Sequence, residues 1–349
     1  MVIYILLAVF PIILGCFYPD LKLEENKKKK ITYYIICGAV MFAVLGLRHY
    51  KLGSADTQNY YNTMKNAIGC SSWKAYYDPD YFEKGAQFFI FLLSRVFKDP
   101  QWLLIISSLI FISSIFYFID KNSNDIPLSI TSYITLGLML FNLQGMRQSI
   151  AMSICLFAYE QAKRKHLIRF VLLVLLATAF HQTAIVFFVV YILCRLDFSW
   201  IKVCVVLGIS AVAVFLSKNI IGVANNMFDR EYNNTVSSGG FVALAIYVLL
   251  FIVSVLYYKD ALKGNETPLL YVLIVGMACF AMRYFGAQAA ERISFYFAFS
   301  QIGALPNVIH ITSKREKTHI YIIVLSLAVL LYIYRLHGSE FVPYRFFWQ

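Results

Sequence analysis

The chain is a succession of apolar segments, most of them close to the length of a membrane helix. One of these segments, "QWLLIISSLIFISSIFYFI" at 101–119, contains no charged residue. An α-helix crosses the hydrocarbon core of a bilayer with about 20 apolar residues. Charged residues make up only 14% of the chain, against roughly 25% in ordinary soluble domains. The sequence therefore predicts an all-α polytopic membrane protein, with one integral membrane domain over residues 1–349.

The apolar segments predict about twelve transmembrane helices. Their expected ranges are 1–18, 31–47, 101–119, 127–143, 147–161, 167–180, 183–194, 201–218, 241–258, 268–285, 289–311 and 319–335. The ranges 167–180 and 183–194 are short, and we interpret them as half-helices or as a kinked pair. The apolar stretch 84–97 is also short and contains Arg95, so we expect a shallow or re-entrant helix there.

Clusters of lysine and arginine orient this arrangement. The densest clusters lie at 22–30, 163–166 and 313–317, and such clusters are typical of cytoplasmic loops. Cytoplasmic basic loops also account for the formal net charge of +12, so we do not expect nucleic acid as a partner. With all three clusters inside, both termini and the loops 48–83 and 222–240 are predicted to be external.

Several arginines fall on the predicted external face, against the usual orientation rule. They are Arg48, Arg147, Arg230, Arg283, Arg292 and Arg345. An arginine guanidinium stays charged and binds phosphate through two parallel hydrogen bonds. A convergent set of arginines at this face therefore indicates an anionic ligand.

The stretch "FNLQGMRQSI" at 141–150 places polar residues where two apolar segments meet. Gly145 precedes Arg147 and Gln148, so we expect a helix to begin there. The free N–H groups and the dipole at a helix N-terminus favour an anion. Arg147 has two interpretations: it binds such an anion, or it is a boundary arginine paired with a carboxylate.

A histidine separates the two short apolar ranges. It is His181, in "ATAFHQTA" at 177–184. A lone histidine in an apolar setting is either a structural hydrogen-bonding group or, because histidine titrates near neutral pH, a group that transfers protons. In the predicted external loop, "GLRHYKLGSADTQNYYN" contains Arg48 and Asp56. Arg48 either reaches toward lipid headgroups or binds a ligand.

Two later segments carry further candidate binding residues. These are Arg283, Glu291 and Arg292 in "RYFGAQAAERISFYF", and Tyr344 and Arg345 in "VPYRFF". A glutamate–arginine pair in the first segment is either a structural ion pair or a means of holding a second arginine toward ligand. The second segment is either an aromatic anchor at the membrane interface or part of a sugar-binding surface.

The order of these elements resembles the EpsG family, which groups with the Wzy-type polymerases of O-antigen, capsule and exopolysaccharide. The elements are, in order, "GLRHYKLGSADTQNYYN", "NLQGMRQSIAMSI", a "KRK" loop, "LATAFHQTA", "AERISFYF" and "VPYRFF". The resemblance extends over nearly the whole chain. The helix start at an arginine and a glutamine, followed by "FHQTA", is its most specific part.

This resemblance implies a multi-helix glycosyltransferase fold, shared with O-antigen ligases, in the bacterial cytoplasmic membrane. It implies that the substrate is an oligosaccharide repeat unit on undecaprenyl diphosphate at the outer face. The growing chain would leave its lipid diphosphate and join the incoming lipid-linked repeat, without metal or cofactor. Besides membrane lipid, the implied partners are a chain-length regulator and a flippase of the same pathway.

The resemblance also implies roles for individual residues. Arg147 would stabilise the leaving diphosphate, because fixed cations lower the barrier where negative charge develops. His181 is the first candidate for the base that takes the proton of the acceptor hydroxyl, and Asp56 is the second. The expected substrate-binding residues are Arg48, Gln148, Arg283, Glu291, Arg292, Tyr344 and Arg345.

Two other function classes remain open from the residues alone. A flippase for lipid-linked oligosaccharide would also show external cations and many membrane helices, although the chain has no visible internal repeat of the kind common in transporters. A membrane O-acyltransferase would also use a histidine. Formation of polymer from a lipid-linked repeat, movement of that lipid across the bilayer, or acyl transfer distinguishes the three.

Overall fold

The computed structural model describes residues 1–53, 55–228, 240–256, 267–285, 290–311 and 314–349, and its regular elements in these ranges are helices. The α-helices are α1 (Val2–Phe17), α2 (Lys27–Leu45), α3 (Ala55–Gly69), α4 (Trp73–Tyr76), α5 (Lys84–Val96), α6 (Gln101–Asn122), α7 (Ile126–Thr135), α8 (Leu138–Gln144), α9 (Met146–Lys163), α10 (Leu167–Phe180), α11 (Val189–Leu193), α12 (Trp200–Phe215), α13 (Ser217–Phe228), α14 (Phe241–Leu256), α15 (Thr267–Ala281), α16 (Ala290–Ser294), α17 (Phe299–Ile311) and α18 (Lys314–Leu336). Arg230 and most of the predicted external loop 222–240 lie outside the described residues.

The long apolar helices identify a membrane protein. In the described part of the chain, three are long and apolar enough to cross a membrane: Gln101–Asn122, Thr267–Phe285 and Thr318–Leu336. Helices α7 and α8 together would make a fourth crossing, with a bend of 50° between them. Five further apolar helices are shorter than these. The predicted count of about twelve crossings is therefore not confirmed.

Two predicted helices are interrupted. The range 127–143 is divided at Gly137, whose φ of 104° lies in the left-handed region. A Cβ atom at Gly137 would lie 2.6 Å from Nη1 of Arg335, so both the conformation and the space require glycine. The range 289–311 is divided into α16 and α17, with a turn at 295–298 between them.

Two predicted helix ends are confirmed. Helix α9 begins at Met146, directly after Gly145. Helix α10 ends at Phe180, where His181 turns into extended backbone with φ −156° and ψ 116°. The predicted range 183–194 then begins as a 3-10 helix, Gln182–Phe188, and continues as α11.

Helix α5 is short and amphipathic. It has 13 residues and is therefore about 20 Å long, less than the ~30 Å thickness of a hydrocarbon core. Phe88, Leu92 and Val96 form an exposed apolar stripe along one face, and Ile90 is buried on the other. These features agree with the prediction of a shallow or re-entrant helix, and the apolar stripe suits contact with lipid.

Helix α9 packs into two apolar cores at once. Near its start, Met146 and Ile150 belong to a cluster built from α3 to α6. Further along, Ala151 and Cys155 belong to the larger core of the bundle. The first turn of α9 is thus held where the two cores meet, and we call this end of the helix bundle the Arg147 end.

Candidate active site

The side chain of Glu83 bridges Arg147 and His181 at the Arg147 end of the bundle. Nη1 of Arg147 donates to Oε2 of Glu83, and Nδ1 of His181 lies 3.2 Å from Oε1. The backbone N–H of Gln182 also donates to Oε1, at 3.4 Å. The Glu83 side chain is only 3% exposed, and those of Arg147 and His181 are 17% and 15% exposed. One buried carboxylate therefore joins the two residues that the sequence singles out most strongly.

A close approach between two helix ends places Glu83 beside His181. Glu83 is the N-cap residue of α5, and His181 follows the end of α10. Between them, a Cβ atom on Gly85 would lie 2.6 Å from the carbonyl oxygen of Ala179, a distance that real Cβ atoms do not adopt. The absence of a side chain at Gly85 therefore lets α5 come close enough for its N-cap carboxylate to reach the histidine.

Aromatic side chains hold the guanidinium of Arg147 in place. Its Cζ atom lies 4.1 Å from the ring centre of Phe82, a cation–π distance. Its Nε donates to the hydroxyl of Tyr60 at 3.4 Å. Within the described residues, its Nη2 makes no hydrogen bond. Arg147 therefore keeps one donor group of its planar fork for a ligand, although Glu83 already neutralises much of its charge.

The pKa of Glu83 reports this environment. Burial alone would raise the pKa of the carboxyl group, because a low dielectric disfavours the charged form. The hydrogen bond from His181 and the charges of Arg147 and His181 outweigh burial and lower the pKa to about 2. Glu83 is therefore ionised at neutral pH and accepts hydrogen bonds from both neighbours.

The contact with Glu83 also defines the tautomer of neutral His181. A carboxylate has only acceptor atoms, so Nδ1 must carry the hydrogen in the 3.2 Å contact. In that tautomer the other ring nitrogen, Nε2, is the acceptor atom of the imidazole. A carboxylate that orients a histidine in this way also stabilises the imidazolium that forms on proton uptake. The arrangement can thus act as a general base.

Asp56, the second candidate base, lies beside this cluster but is not part of it. It is in the first turn of α3, is exposed, and is one helical turn before Tyr60. In the described part of the chain it forms no ion pair or hydrogen bond. Asp56 is therefore accessible to a substrate, and no described neighbour orients it as Glu83 orients His181.

Two further predicted residues connect α9 to α16. The side-chain N–H of Gln148 donates to the backbone carbonyl of Arg292 at 2.6 Å. Gln148 is buried, whereas the side chain of Arg292 is exposed. The hydrogen bond therefore fixes the backbone that carries Arg292 close to the start of α9, and it leaves the guanidinium accessible.

Arg283 and Glu291 form a second ion pair, with 2.6 Å between Nη1 of Arg283 and Oε2 of Glu291. Arg283 follows the end of α15, and its guanidinium lies over the rings of Phe280 and Tyr284. This pair lines a cavity that is separate from the Glu83 cluster.

The side chains of Arg48 and Tyr344 donate hydrogen bonds to backbone carbonyls. Arg48 is 1% exposed and donates to the backbone carbonyls of Leu45 and Leu143, the latter at 3.3 Å. The hydroxyl of Tyr344 donates to the carbonyl of Val44 at 3.1 Å. The exposed Arg345 accepts a backbone hydrogen bond from His49. These contacts tie the chain terminus to the end of α2, and ligand binding by Arg48, Tyr344 or Arg345 stays a prediction.

Sequence reasoning missed Glu83, Tyr60 and Phe82. One signal was present: Glu83 is the acidic residue directly before the apolar stretch 84–97, and acidic residues favour helix N-termini. Nothing in that stretch pointed to Arg147 or His181.

The expectation of metal-free chemistry also overlooked one D-x-D sequence, Asp78-Pro79-Asp80. Both carboxylates are exposed. A carboxylate oxygen of Asp78 accepts the backbone N–H of Asp80 at 3.0 Å, which is a typical aspartate turn. The described contacts of Asp78 are thus those of a turn residue, and metal independence stays a prediction.

A comparison with protein families gives one match. The family model described as the EpsG family matches residues 3–346. No curated protein matches significantly, and neither does any solved structure. The match covers all members of the Glu83 cluster and all the candidate binding residues.

Proposed function

Because the chain belongs to the EpsG family, we propose that it is a membrane glycosyltransferase that polymerises polysaccharide. The family is associated with polysaccharide biosynthesis. The proposed substrates are oligosaccharide repeat units on undecaprenyl diphosphate, at the outer face of the bacterial cytoplasmic membrane. The growing chain is the donor, and a hydroxyl of the incoming repeat unit is the acceptor.

The observation that carries this proposal is the sharing of Glu83 between His181 and Arg147. Glycosyl transfer from a diphosphate needs a group that takes a proton and a group that stabilises the departing anion. The cluster supplies an oriented histidine for the first task and an arginine donor for the second, on opposite sides of one carboxylate.

In the proposed reaction, the acceptor hydroxyl oxygen bonds to the anomeric carbon of the donor sugar. The bond between that carbon and the diphosphate oxygen breaks, and the electron pair leaves with the diphosphate. Nε2 of His181 takes the hydroxyl proton, and the carboxylate of Glu83 stabilises the resulting imidazolium. The Nη2 group of Arg147 and the N–H groups in the first turn of α9 stabilise the developing charge on the leaving group.

The exposed Arg292 complements Arg147 in this scheme. A diphosphate with two ester bonds carries about two negative charges, whereas the Glu83–Arg147 pair has no net charge. Since Gln148 holds the backbone of Arg292 near the start of α9, its exposed guanidinium is a second cation available on that side. We therefore assign the diphosphate to Arg147 and Arg292 together, without a divalent metal.

The test uses the purified full-length protein in liposomes with a fluorescent lipid-linked repeat unit. Polymerisation gives a ladder of products, each longer by one repeat. Movement of the lipid across the bilayer without a ladder would identify a flippase, and acyl transfer to the repeat would identify an acyltransferase. The matched control is Arg169→Gln, because Arg169 is an exposed arginine of α10 outside the cluster. It should give the same ladder as the parent protein.

The face of the membrane is tested separately. Single cysteines at Asp56 and Arg164, in a chain without other cysteines, are treated with an impermeant thiol reagent on intact cells. The proposal expects labelling at position 56 only. Labelling of position 164 from outside would show that the protein has the opposite orientation. The proposed reaction could then not be assigned to the outer face of the membrane.

A further inference from the structure

A cavity of about 280 Å³ opens beside the helix break at Gly137, apart from the Glu83 cluster. Its walls come from the α7–α8 break, the start of α14, the chain around α16 and the last turn of α18. This volume is roughly nine times the ~30 Å³ that one water molecule occupies in the liquid. The cavity therefore has room for one sugar ring.

The charges of the described side chains that line this cavity do not sum to zero. Its described lining contains three charged side chains: Arg283, Arg335 and Glu291. Arg283 is paired with Glu291. Arg335 donates to the backbone carbonyl of Thr135 at 3.4 Å and, within the described residues, has no carboxylate at salt-bridge distance. The described lining residues therefore carry a net charge of one positive unit in a partly buried place, where an unbalanced charge is costly.

Both arginines lie against a glycine in the left-handed conformation. Gly137 has φ 104° and Gly240 has φ 88°. An added Cβ would lie 2.6 Å from Nη1 of Arg335 at the first glycine, and 2.8 Å from Nη1 of Arg283 at the second. Any side chain at either position would displace a guanidinium, so the local backbone is shaped around the two cations.

Neutral polar groups and aromatic rings complete the lining. Gln144, Gln301, Ser294 and Tyr247 supply hydrogen-bond donors and acceptors. Phe295 provides an aromatic surface, which stacks on Phe141 with 4.1 Å between ring centres. This mixture suits a sugar ring, whose hydroxyls need hydrogen bonds and whose C–H face packs on apolar surface.

We propose that this cavity binds one carboxylate-bearing sugar residue of the glycan, such as a hexuronic acid. A single carboxylate matches the single positive charge of the lining, and arginine binds carboxylates through two parallel hydrogen bonds. A lipid diphosphate carries about two negative charges and would leave the cavity with excess negative charge. Only the glycan source of this sugar rests on the proposed polymerase function, because binding in the cavity needs no catalysis.

The cavity lies at the Arg147 end of the bundle. Gln144, which lines it, is the last residue of α8, and only Gly145 separates it from the start of α9. The hydrogen bond between Gln148 and the carbonyl of Arg292 joins α9 to α16 on the same side. A chain bound with one sugar in the cavity would thus be held at the same end of the bundle as the Glu83 cluster, and the cavity would select repeat units by their charge.

The test measures binding of methyl β-D-glucuronide to the purified full-length protein by saturation-transfer NMR. Methyl β-D-glucoside, which has the same ring without the carboxylate, is the matched ligand. The glucuronide should bind at least about tenfold more tightly, the discrimination expected from a charge-assisted hydrogen bond. Equal binding of the two glycosides, or no binding of the glucuronide, would overturn the proposal without any variant.

Variants and a competitor locate the site. Arg335→Gln should weaken glucuronide binding by about tenfold, and Arg169→Gln should leave it unchanged. Unchanged binding in a correctly folded Arg335→Gln protein would overturn the assignment to this cavity, as would displacement of the glucuronide by inorganic diphosphate at lower concentration. Polymerisation by the parent protein without glucuronide binding would remove this inference alone. Glucuronide binding without polymerisation would remove the proposed function alone.

Discussion

A Cβ atom on Gly85 would lie 2.6 Å from the carbonyl oxygen of Ala179. The start of α5 and the end of α10 are thus in backbone contact, and this contact determines how far Glu83 is from His181. The distance between the carboxylate and the imidazole, 3.2 Å, therefore depends on the absence of a single methyl group at Gly85.

Gly85→Ala should lower polymerisation strongly. The added methyl group must push α5 away from α10, and a displacement of about 1 Å in a catalytic group can cost about 10²-fold in rate. The measurement is the initial rate of ladder formation by purified protein. Gly69→Ala is the matched control, because a Cβ on Gly69 meets nothing within 4 Å. Equal rates in the two variants would show that the contact between α5 and α10 does not govern the reaction.

Glu83→Gln should abolish most activity while the substrate still binds. The amide keeps the shape of the side chain, but it removes the negative charge that stabilises the His181 imidazolium. We expect a fall in turnover of about 10²- to 10⁴-fold, with lipid-linked repeat bound almost as in the parent. Turnover and binding are measured on the same preparation. Parent-level turnover in Glu83→Gln would exclude Glu83 from the mechanism.

Acid should remove the stabilising contribution of Glu83. Its pKa in the folded protein, about 2, lies below the ordinary value of 4.5. A lowered pKa means that the contribution is complete above about pH 4.5 and is lost as the pH falls toward 2. The difference in melting temperature between the parent and Glu83→Gln should therefore shrink as the pH falls below 4.5. A constant difference down to pH 3 would contradict the lowered pKa.

His181→Gln should separate binding from chemistry. Glutamine can donate a side-chain N–H to Glu83 in place of the imidazole, but it cannot take a proton near neutral pH. Turnover should fall by about 10²- to 10⁴-fold, whereas binding of the lipid-linked repeat should hardly change. The rate of the parent enzyme should rise with pH as the imidazole becomes neutral, and the residual rate of the variant should lack this rise. An inert Asp56→Asn protein beside an active His181→Gln protein would transfer the role of base to Asp56.

Arg147→Lys should be severe although it keeps the charge. Lysine replaces the planar fork with one ammonium nitrogen, and its three N–H groups leave a single atom, so they do not reach Glu83, Tyr60 and the diphosphate as the three separate guanidinium nitrogens can. We expect short polymer or none, with normal protein levels in the membrane. Arg169→Lys, in an exposed position of α10, is the control for the general effect of replacing an arginine with a lysine. Parent-length polymer in Arg147→Ala would remove Arg147 from the mechanism.

The sequence predicted those parts of the site that depend on local pattern. Gly145 before two polar residues marked the start of α9, and the break in apolar character at His181 marked the end of α10. The Glu83 contacts could not be predicted in this way, because they join residues 64 and 98 positions apart. Such contacts depend on how helices pack, and the close approach at Gly85 leaves no periodic signal in a single chain.

The neighbours of Arg48 and Arg147 show a second limit of prediction from the sequence. Arg48 and Arg147 look alike in the sequence, since each lies at the end of an apolar segment. The structure gives Arg48 two backbone carbonyls as acceptors and gives Arg147 a carboxylate and two aromatic rings. Which arginine saturates backbone carbonyls and which one pairs with a buried carboxylate depends on neighbours that are brought together only by folding.

The shared carboxylate also couples two equilibria. A diphosphate that draws Arg147 away from Glu83 leaves more of the carboxylate's negative charge for the imidazole, so the proton affinity of His181 rises when the donor is bound. By thermodynamic reciprocity, a proton on His181 raises the affinity of Arg147 for the diphosphate by the same factor. In the empty site, Arg147 draws on the same charge, and the histidine is a weaker base. His181 would therefore reach its full strength as a base only in the complex with bound donor, which is the complex in which the acceptor hydroxyl must lose its proton.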